Sequence, residues 1–543
     1  MDAMFPVTSI RPVRLLLLVT ALFTFLIQSG ELGTSDTTHR LQVTHSLWTS
    51  QPQVFPSEYP DFGLYGRGGR LYASYGIGQS LLMLPADLAG TAASHLPLWR
   101  SYVNSEADPT IRNIIVSIST NILINVLTAL AAYSLLGLLG FSMRESIAGV
   151  LTLLCATTHL HYAQNMTENN YILLLTITGF ALQYLWLTTD NRRALFWGST
   201  ALGLNLLTRI TTALDILAAA CFLLLATLFA RAQETIDTRQ NLPFLARART
   251  YLRTALPVYA VFLLLDRTYQ YIRFGSWTDT YVTILARQQR QMNAALNPNY
   301  PFDGHWFHGG IDSGMLGPLF APQKTIFLFD PMFPLALLLA ILLWKRLAPG
   351  VRAFLAATLI LLAAYIIFYA RYNSWAGDFA WGDRYISSTV ELTTLLAIPL
   401  VLRYRRALRP SVFYSALITT AVSVIAQCAS LAFWLPLEIY QMETFGPHKW
   451  VVFLRFRNIA AFALGQRKVW GLDTPAIHRD PWDAAHLTAW NVLPSLLNHF
   501  GIAPPWVVHV LYGVWFALAL ALVGASAKLI RALLPMGKDK YLN

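Results

Sequence analysis

Apolar runs long enough to cross a bilayer recur along the chain, separated either by short basic turns or by longer polar stretches. At about 20 residues per crossing, the first run is Leu15 to Ile27, bounded by Arg11 and Arg14 before it and by Gly30, Glu31 and Asp36 after it. Further runs cover approximately Asn113 to Leu139, Ile147 to His161, Tyr171 to Thr188, Leu195 to Thr211, Ala213 to Phe229 and Leu256 to Tyr271. The remainder are Ile326 to Trp344, Ala353 to Tyr369, Ser387 to Val401, Ala416 to Trp434 and Trp506 to Val523. The pattern predicts an all-α integral membrane protein, a polytopic bundle of about twelve transmembrane helices. The first run lacks a small-x-small cleavage site before Glu31, so it is read as a retained helix.

Threading these spans alternately puts Arg144, Arg192 with Arg193, the stretch Arg231 to Arg253, Lys345 with Arg346, and Arg403 to Arg409 on one side. Lys528, Arg531, Lys538 and Lys540 fall there too. Loops rich in Lys and Arg stay in the cytoplasm, which predicts a cytoplasmic-membrane protein with both termini inside. Four polar segments then face the periplasm or exterior: Gly30 to Arg112, Arg273 to Thr325, Arg371 to Arg384, and Leu435 to Pro505. In the first, Leu41, Val43, Leu47 and Trp48, and later Ser80 to Leu88, read as short helices at the interface or packed on the bundle. Residues 1–435 form the expected transmembrane catalytic region, with first outer loop 30–112; residues 436–543 add an outer loop, a last span and a tail.

Composition agrees. The 543 residues are 55% hydrophobic and 13% charged, with 16 Trp and a mean hydropathy of +0.46, which excludes a soluble globular class. The net charge of +12 is spread over short loops between spans, so it marks membrane orientation and argues against nucleic-acid binding. Cys155, Cys221 and Cys428 lie within apolar runs and read as small buried hydrophobes.

Ionisable side chains at span ends are costly and call for a functional explanation. They are Asp36, His161, Glu168, Arg209, Asp215, Asp266, Lys324, Asp330, Arg384 and Glu391. Asp36 and Glu168 fall on the outer surface, where carboxylates could take a proton from an acceptor while orienting it against a sugar carbon. Their plainer readings are a turn residue and an N-terminal helix acid capped by Thr167. Arg40, Arg273, Lys324 and Arg384 supply charge to neutralise a phosphate leaving group, or simply anchor helices at headgroups. Arg209 interrupts two spans at their outer turn and either pairs with Asp215 or faces a phosphate. Two segments suit an amphipathic ligand: Trp375 to Tyr385, with Trp381, and Gly66 to Gly78, with Arg70, Tyr72 and Tyr75. His305 and His308 lie near Asp303 and Asp312, a spacing too loose to specify a metal, and the polar stretch Gln288 to Gly317 reads as a loop.

Taken in order, several pieces resemble the GT-C superfamily of integral-membrane glycosyltransferases, in the branch of protein O-mannosyltransferases and the lipid A aminoarabinose transferase. They are Ser35-Asp36 with Arg40, the run Gly69 to Leu82 leading to Pro85, Glu168, Leu207-Thr208-Arg209, Arg273-Phe274-Gly275-Ser276, Phe320-Ala321-Pro322, and Trp381-Gly382-Asp383-Arg384-Tyr385. The resemblance covers roughly the first three quarters of the chain. It implies Asp36 as catalytic base assisted by Glu168, with Arg40, Arg209, Arg384 and Lys324 contacting a polyprenyl phosphate. Arg70, Tyr72, Tyr75, Gln79, Arg273, Trp381 and Tyr385 would line the donor and acceptor pocket. The sequence departs from the family where adjacent acids are replaced by Ser35-Asp36 and where Asp383 occupies a frequent proline position.

The expected activity is inverting transfer of a sugar from a polyprenyl-phosphate donor to an extracytoplasmic glycan, lipid or protein, with a divalent cation as an open option. The rivals are a flippase of lipid-linked glycan and a surface-polysaccharide polymerase or ligase, the latter suggested by the long segment Leu435 to Pro505.

Overall fold

The computed structural model describes residues 10–58, 62–97, 109–232, 244–296, 309–377, 380–445, 449–466 and 490–533. Helix α1 (Ile10–Ile27) leads into the short α2 (Ser35–Ser46), a two-stranded antiparallel ribbon of β1 (Gly63–Tyr65) and β2 (Leu71–Ala73), and α3 (Gly78–Ser94). The long α4 (Ile111–Leu138) starts where the Thr110 hydroxyl accepts from the Asn113 N–H, satisfying one of its unpaired first-turn donors. Both α2 and α3 pack on the bundle: Leu41, Val43 and Met83 are buried, whereas Leu47 and Trp48 are exposed.

The central bundle continues with α5 (Met143–Cys155), α6 (His159–Gln164), α7 (Glu168–Thr189), α8 (Arg192–Thr208), α9 (Ala213–Ala232) and α10 (Phe244–Phe274). Then come α11 (Tyr281–Leu296), α12 (Ile311–Phe320), α13 (Ile326–Phe329), α14 (Met332–Leu343) and α15 (Pro349–Tyr369). The chain closes with α16 (Ser387–Thr394), α17 (Ala397–Arg403), α18 (Pro410–Ser430), α19 (Leu435–Phe445), α20 (Val451–Ala463), α21 (Leu493–Phe500) and α22 (Pro505–Leu533). The protein is an all-α multi-pass membrane protein: six helices among the described residues, at Ile111–Leu138, Glu168–Thr189, Ile210–Ala232, Pro349–Tyr369, Pro410–Ser430 and Pro505–Leu533, are long and apolar enough to span.

The expected dozen is not reproduced as a dozen continuous helices, because three expected spans are broken. The run Ile147 to His161 divides into α5 and α6, Ile326 to Trp344 into α13 and α14, and Ser387 to Val401 into α16 and α17. In lipid every backbone polar group exposed by such a break needs an internal partner. Here the breaks are stitched together: Asp330 accepts from the Thr158 N–H at 2.7 Å, and the Thr158 hydroxyl lies 3.0 Å from both Asp330 and Glu391. Hydropathy sees only the apolar flanks of these joints and cannot see the joint.

At one end of the bundle Arg403 pairs with Glu145 at 2.7 Å, and the Tyr404 hydroxyl donates to the Arg346 carbonyl. Three of the basic turns thus gather together. The site described below lies at the opposite ends of α7 and α8. The cysteines are less buried than expected: Cys428 is exposed and Cys155 and Cys221 are partly so, although Cys155 packs against the main core.

Candidate functional site

Asp36 and Arg40 are four residues apart in α2, so they project from one face of that helix. The Thr34 hydroxyl accepts from the Thr37 N–H at its start, and Asp36 in the first turn suits the positive end of the helix dipole. Gly33 fixes the approach to this turn, with φ at +78° and no room for a Cβ against the Asn165 backbone. Glu168 opens α7 and is buried, and Arg209 sits in the extended joint after α8. The expected Thr167 cap is absent; its hydroxyl instead lies 3.3 Å from Asn169 Oδ1. Arg384 arrives from the loop before α16, where Asn169 Nδ2 donates to its carbonyl and to the Ser387 hydroxyl.

These elements bring two carboxylates and three guanidinium groups together. Asp36 Oδ2 meets Arg384 Nη1 at 2.7 Å, and its Oδ1 accepts from the Tyr75 hydroxyl at 2.8 Å. Glu168 is held by Arg40 at 2.8 Å and by Arg209. Aromatic rings back the cations: Arg40 lies over Tyr75 at 4.5 Å, and Arg209 and Arg384 lie 5.2 and 5.3 Å from the Tyr385 centroid. Arg209 therefore pairs with Glu168, and not with Asp215, whose oxygens take the Thr176 and Tyr365 hydroxyls.

Burial raises the Asp36 pKa, but Arg384 and Arg40 oppose it strongly enough to hold the carboxyl below its ordinary value. The Tyr75 phenol is pushed up by burial and by the adjacent Asp36, so it stays protonated as a donor.

The Asp36–Arg384 pair forms the partition between two cavities. The larger, about 570 Å³, is lined by Asp36, Arg40, Glu168, Arg209, Arg384 and Tyr385 on the bundle side. Tyr281, Arg287 and Arg290 of α11 close its other side. The Gln288 amide fastens α11 to the ribbon, accepting from the Tyr65 N–H at 3.0 Å and donating to the Tyr65 carbonyl at 2.6 Å. The smaller, about 410 Å³, is also lined by Asp36 and Arg384, with His39, His161, Asn165 and Trp434.

The remaining sequence candidates take other places. Lys324 donates to the carbonyls of Ala380 at 2.6 Å and Gly382 at 3.1 Å, bracing the turn before Arg384. Arg273 donates to the carbonyls of Ala73 and Tyr75 and stacks on Tyr269 at 3.9 Å. Tyr72 packs edge-on against Phe274, and Arg70 is exposed. Gln79 is fully buried, and Trp381 is buried with its indole N–H on Gln427 at 3.1 Å. The glycine run acts through close contact: a Cβ at Gly76 would fall on the Leu207 and Thr208 carbonyls, next to Arg209.

Of the loosely spaced histidine and aspartate candidates, Asp303, His305 and His308 lie outside the described residues, and the stretch beginning at Gln288 is partly helical, in α11 and α12. Sequence reasoning missed Arg290 because it read Gln288 to Gly317 as polar loop, and it placed Tyr281 and Arg287 only within the outer segment Arg273 to Thr325; the amphipathic spacing of Tyr281, Ile284 and Gln288 was the available signal. It also missed Asn169, whose role depends on a contact across 215 residues. Among the described residues no three His, Cys, Asp or Glu side chains gather as a metal site. The oxygens of Asp36 and Glu168 are engaged by guanidinium groups.

No family model matches the chain, and no curated protein matches it. Among solved structures it is similar to ArnT from Cupriavidus metallidurans bound to undecaprenyl phosphate, at 14% identity over 94% of this chain and 76% of that one, with a TM-score of 0.43.

Proposed function

We propose that the protein is a membrane glycosyltransferase that takes a sugar from a polyprenyl-phosphate donor, with inversion, and passes it to an acceptor on the extracytoplasmic side. The observation that carries this reading is Asp36, an ionised carboxylate at the junction of two cavities, beside a chamber with five arginines on its wall. Guanidinium forks of this kind match the geometry of phosphate as well as of carboxylate.

In this mechanism the acceptor hydroxyl attacks the anomeric carbon as the bond from that carbon to the phosphate oxygen breaks. The electron pair leaves on polyprenyl phosphate, and the hydroxyl proton passes to Asp36. Arg40, Arg209 and Arg384 stabilise the charge that grows on the leaving group. Both oxygens of Asp36 are occupied at rest, so its readiness as a base depends on Arg384 turning towards the phosphate. Donor binding would then raise the basicity of Asp36 where it is needed. Glu168, buried between Arg40 and Arg209, acts as the fixed counter-charge that orients them.

The test is transfer from radiolabelled polyprenyl-phosphate sugars in proteoliposomes, with the folded state checked by detergent chromatography. Label on an acceptor, lost with Asp36→Asn, supports the reading. Equal transfer by both proteins moves the base elsewhere, and no transfer across a broad donor panel abandons the transferase in favour of transport.

A further inference from the structure

At the end of the bundle away from Asp36, the end of α7, the second half of α9 and the start of α10 form a groove of about 320 Å³. Glu168 opens α7, and Trp186 of the groove lies eighteen residues further along it, about 27 Å at 1.5 Å per residue. The groove is therefore separate from both cavities that meet at Asp36. Its walls are Trp186, Ala220, Leu223, Leu224, Tyr251 and Leu252, with Phe244 and Arg247 at one end. The polar groups along those walls are engaged within the fold: the Thr227 hydroxyl donates to the Leu223 carbonyl at 2.8 Å, and the Tyr251 hydroxyl lies 3.4 Å from that of Tyr259.

Two observations fix the chemistry of an occupant. Leu224 and Leu252 line the groove and are 43% and 55% exposed, and α9 belongs to a stretch, Ile210–Ala232, long and apolar enough to span a bilayer. The groove thus opens on a surface that meets acyl chains. Its polarity is also graded along its length. Ala220, Leu223 and Leu224 lie towards the middle of α9, whereas Arg231 ends that helix and stands 5.7 Å from the Phe244 ring, next to Arg247 at the start of α10. Arg247 Nε is buried without a hydrogen-bond partner. Among the described residues no acid lines the groove, and Arg352, over Phe229 at 5.4 Å, does not line it either. Counted over the whole sequence of the adjoining turns, residues 186–193 and 231–253, seven arginines stand against Asp190, Glu234 and Asp237. The charge at this end is therefore net positive with every acid of those turns included.

A phospholipid has the same gradient, from apolar chain to charged head. We propose that this groove is a lipid site, taking one acyl chain of an anionic phospholipid between α7, α9 and α10 and its phosphate on Arg247 and Arg231. The arginine stems cover apolar surface while their heads reach the phosphate level, as long basic side chains do at span ends. Guanidinium groups suit the phosphate, and basic residues beside a span favour anionic over zwitterionic lipid. This assignment does not depend on the transferase reading.

The experiment uses the full chain in phosphatidylcholine nanodiscs that contain a trace of either phosphatidylglycerol or phosphatidylcholine with a photoreactive diazirine on one acyl chain. Cross-links are mapped by peptide mass spectrometry, which separates this groove from any anionic lipid held near Asp36. The expected result is label on the peptides of Leu224 and Leu252, at least about fivefold more from phosphatidylglycerol than from phosphatidylcholine, the effect of one basic side chain on an anionic lipid. Arg247→Gln lowers that ratio several-fold and Arg247→Lys keeps it, with the elution profile of both variants that of the intact protein. Excess inorganic phosphate at matched ionic strength leaves the labelling in place. Absence of label from these peptides, equal labelling by the two lipids, or a ratio unmoved in Arg247→Gln overturns the proposal. Displacement by inorganic phosphate would make this a free-anion site, and an unlabelled groove in a cross-linked dimer would give it to a second copy of the chain; either result also overturns the lipid assignment.

Discussion

Arg384 Nη1 reaches Asp36 Oδ2 at 2.7 Å across 348 residues of chain, and this contact stands between two cavities. On the proposed mechanism Asp36 is the base, and a base locked in an ion pair is weak, so that mechanism requires Arg384 to move when the site works. Its side chain already borders the cationic chamber, and a phosphate there competes with Asp36 for the same guanidinium.

Asp36→Asn keeps the size and the hydrogen bond from Tyr75 but cannot accept a proton. Transfer should fall by at least about 10²-fold, the usual contribution of a positioned general base, while the elution profile in detergent stays that of the intact protein. Glycosyl transfer at the intact rate in the variant sinks Asp36 as base.

The pH dependence follows from the same contact. Burial pushes the Asp36 pKa up, and Arg384 and Arg40 bring it below the ordinary value. A carboxylate lowered in the fold stabilises it above the unfolded pKa, and that contribution is lost as pH falls through the lowered value. The stability that ionised Asp36 contributes should therefore persist through pH 5, checked by thermal unfolding in detergent. Arg384→Gln removes the leading downward influence, so the acid limb of kcat/KM should move to higher pH, towards and beyond the ordinary Asp range. An acid limb that stays in place in Arg384→Gln would show that the pair does not set the charge of Asp36.

Legibility in the sequence was uneven, and particular residues show why. Apolar runs and single charges announced the helical membrane class and nominated Asp36, Glu168, Arg40, Arg209 and Arg384, which the fold gathers within one cluster. Isolated charges in apolar surroundings are costly enough to stand out on their own. Pairing was not legible, since Glu168 chooses Arg40 and Arg209 through contacts far apart in sequence. Nor was the role of Lys324, because a cation that braces carbonyls and one that meets a ligand read alike. The broken helices were hidden because Thr158, Asp330 and Glu391 each look like an ordinary polar interruption until they meet.

Glu168 should behave as structure more than as chemistry. Its side chain is 4% exposed and bridges two guanidinium groups. Removing one partner of a buried ion pair typically costs about 3–5 kcal/mol, because the remaining charges are left uncompensated. Glu168→Gln should thus lower thermal stability in detergent markedly, and more than Asp36→Asn, whose side chain is 19% exposed. A Glu168→Gln protein as stable as the intact one would contradict this division of labour.

The joint at Thr158 offers the last separation of fold from site. Its N–H and hydroxyl satisfy Asp330, and the same hydroxyl lies 3.0 Å from Glu391, so one side chain connects three broken helices. Thr158→Val preserves shape and the backbone bond but strips the hydroxyl from between two buried carboxyl groups. Leaving a buried acceptor unsatisfied costs about 1–3 kcal/mol, more where charge is involved. Thr158 lines neither cavity, so the variant should unfold at lower temperature while binding polyprenyl phosphate with unchanged affinity in samples kept below that transition. Unaltered thermal stability would mean that the broken helices are held by packing alone, whereas weakened lipid binding would mean that the joint sets the position of the site.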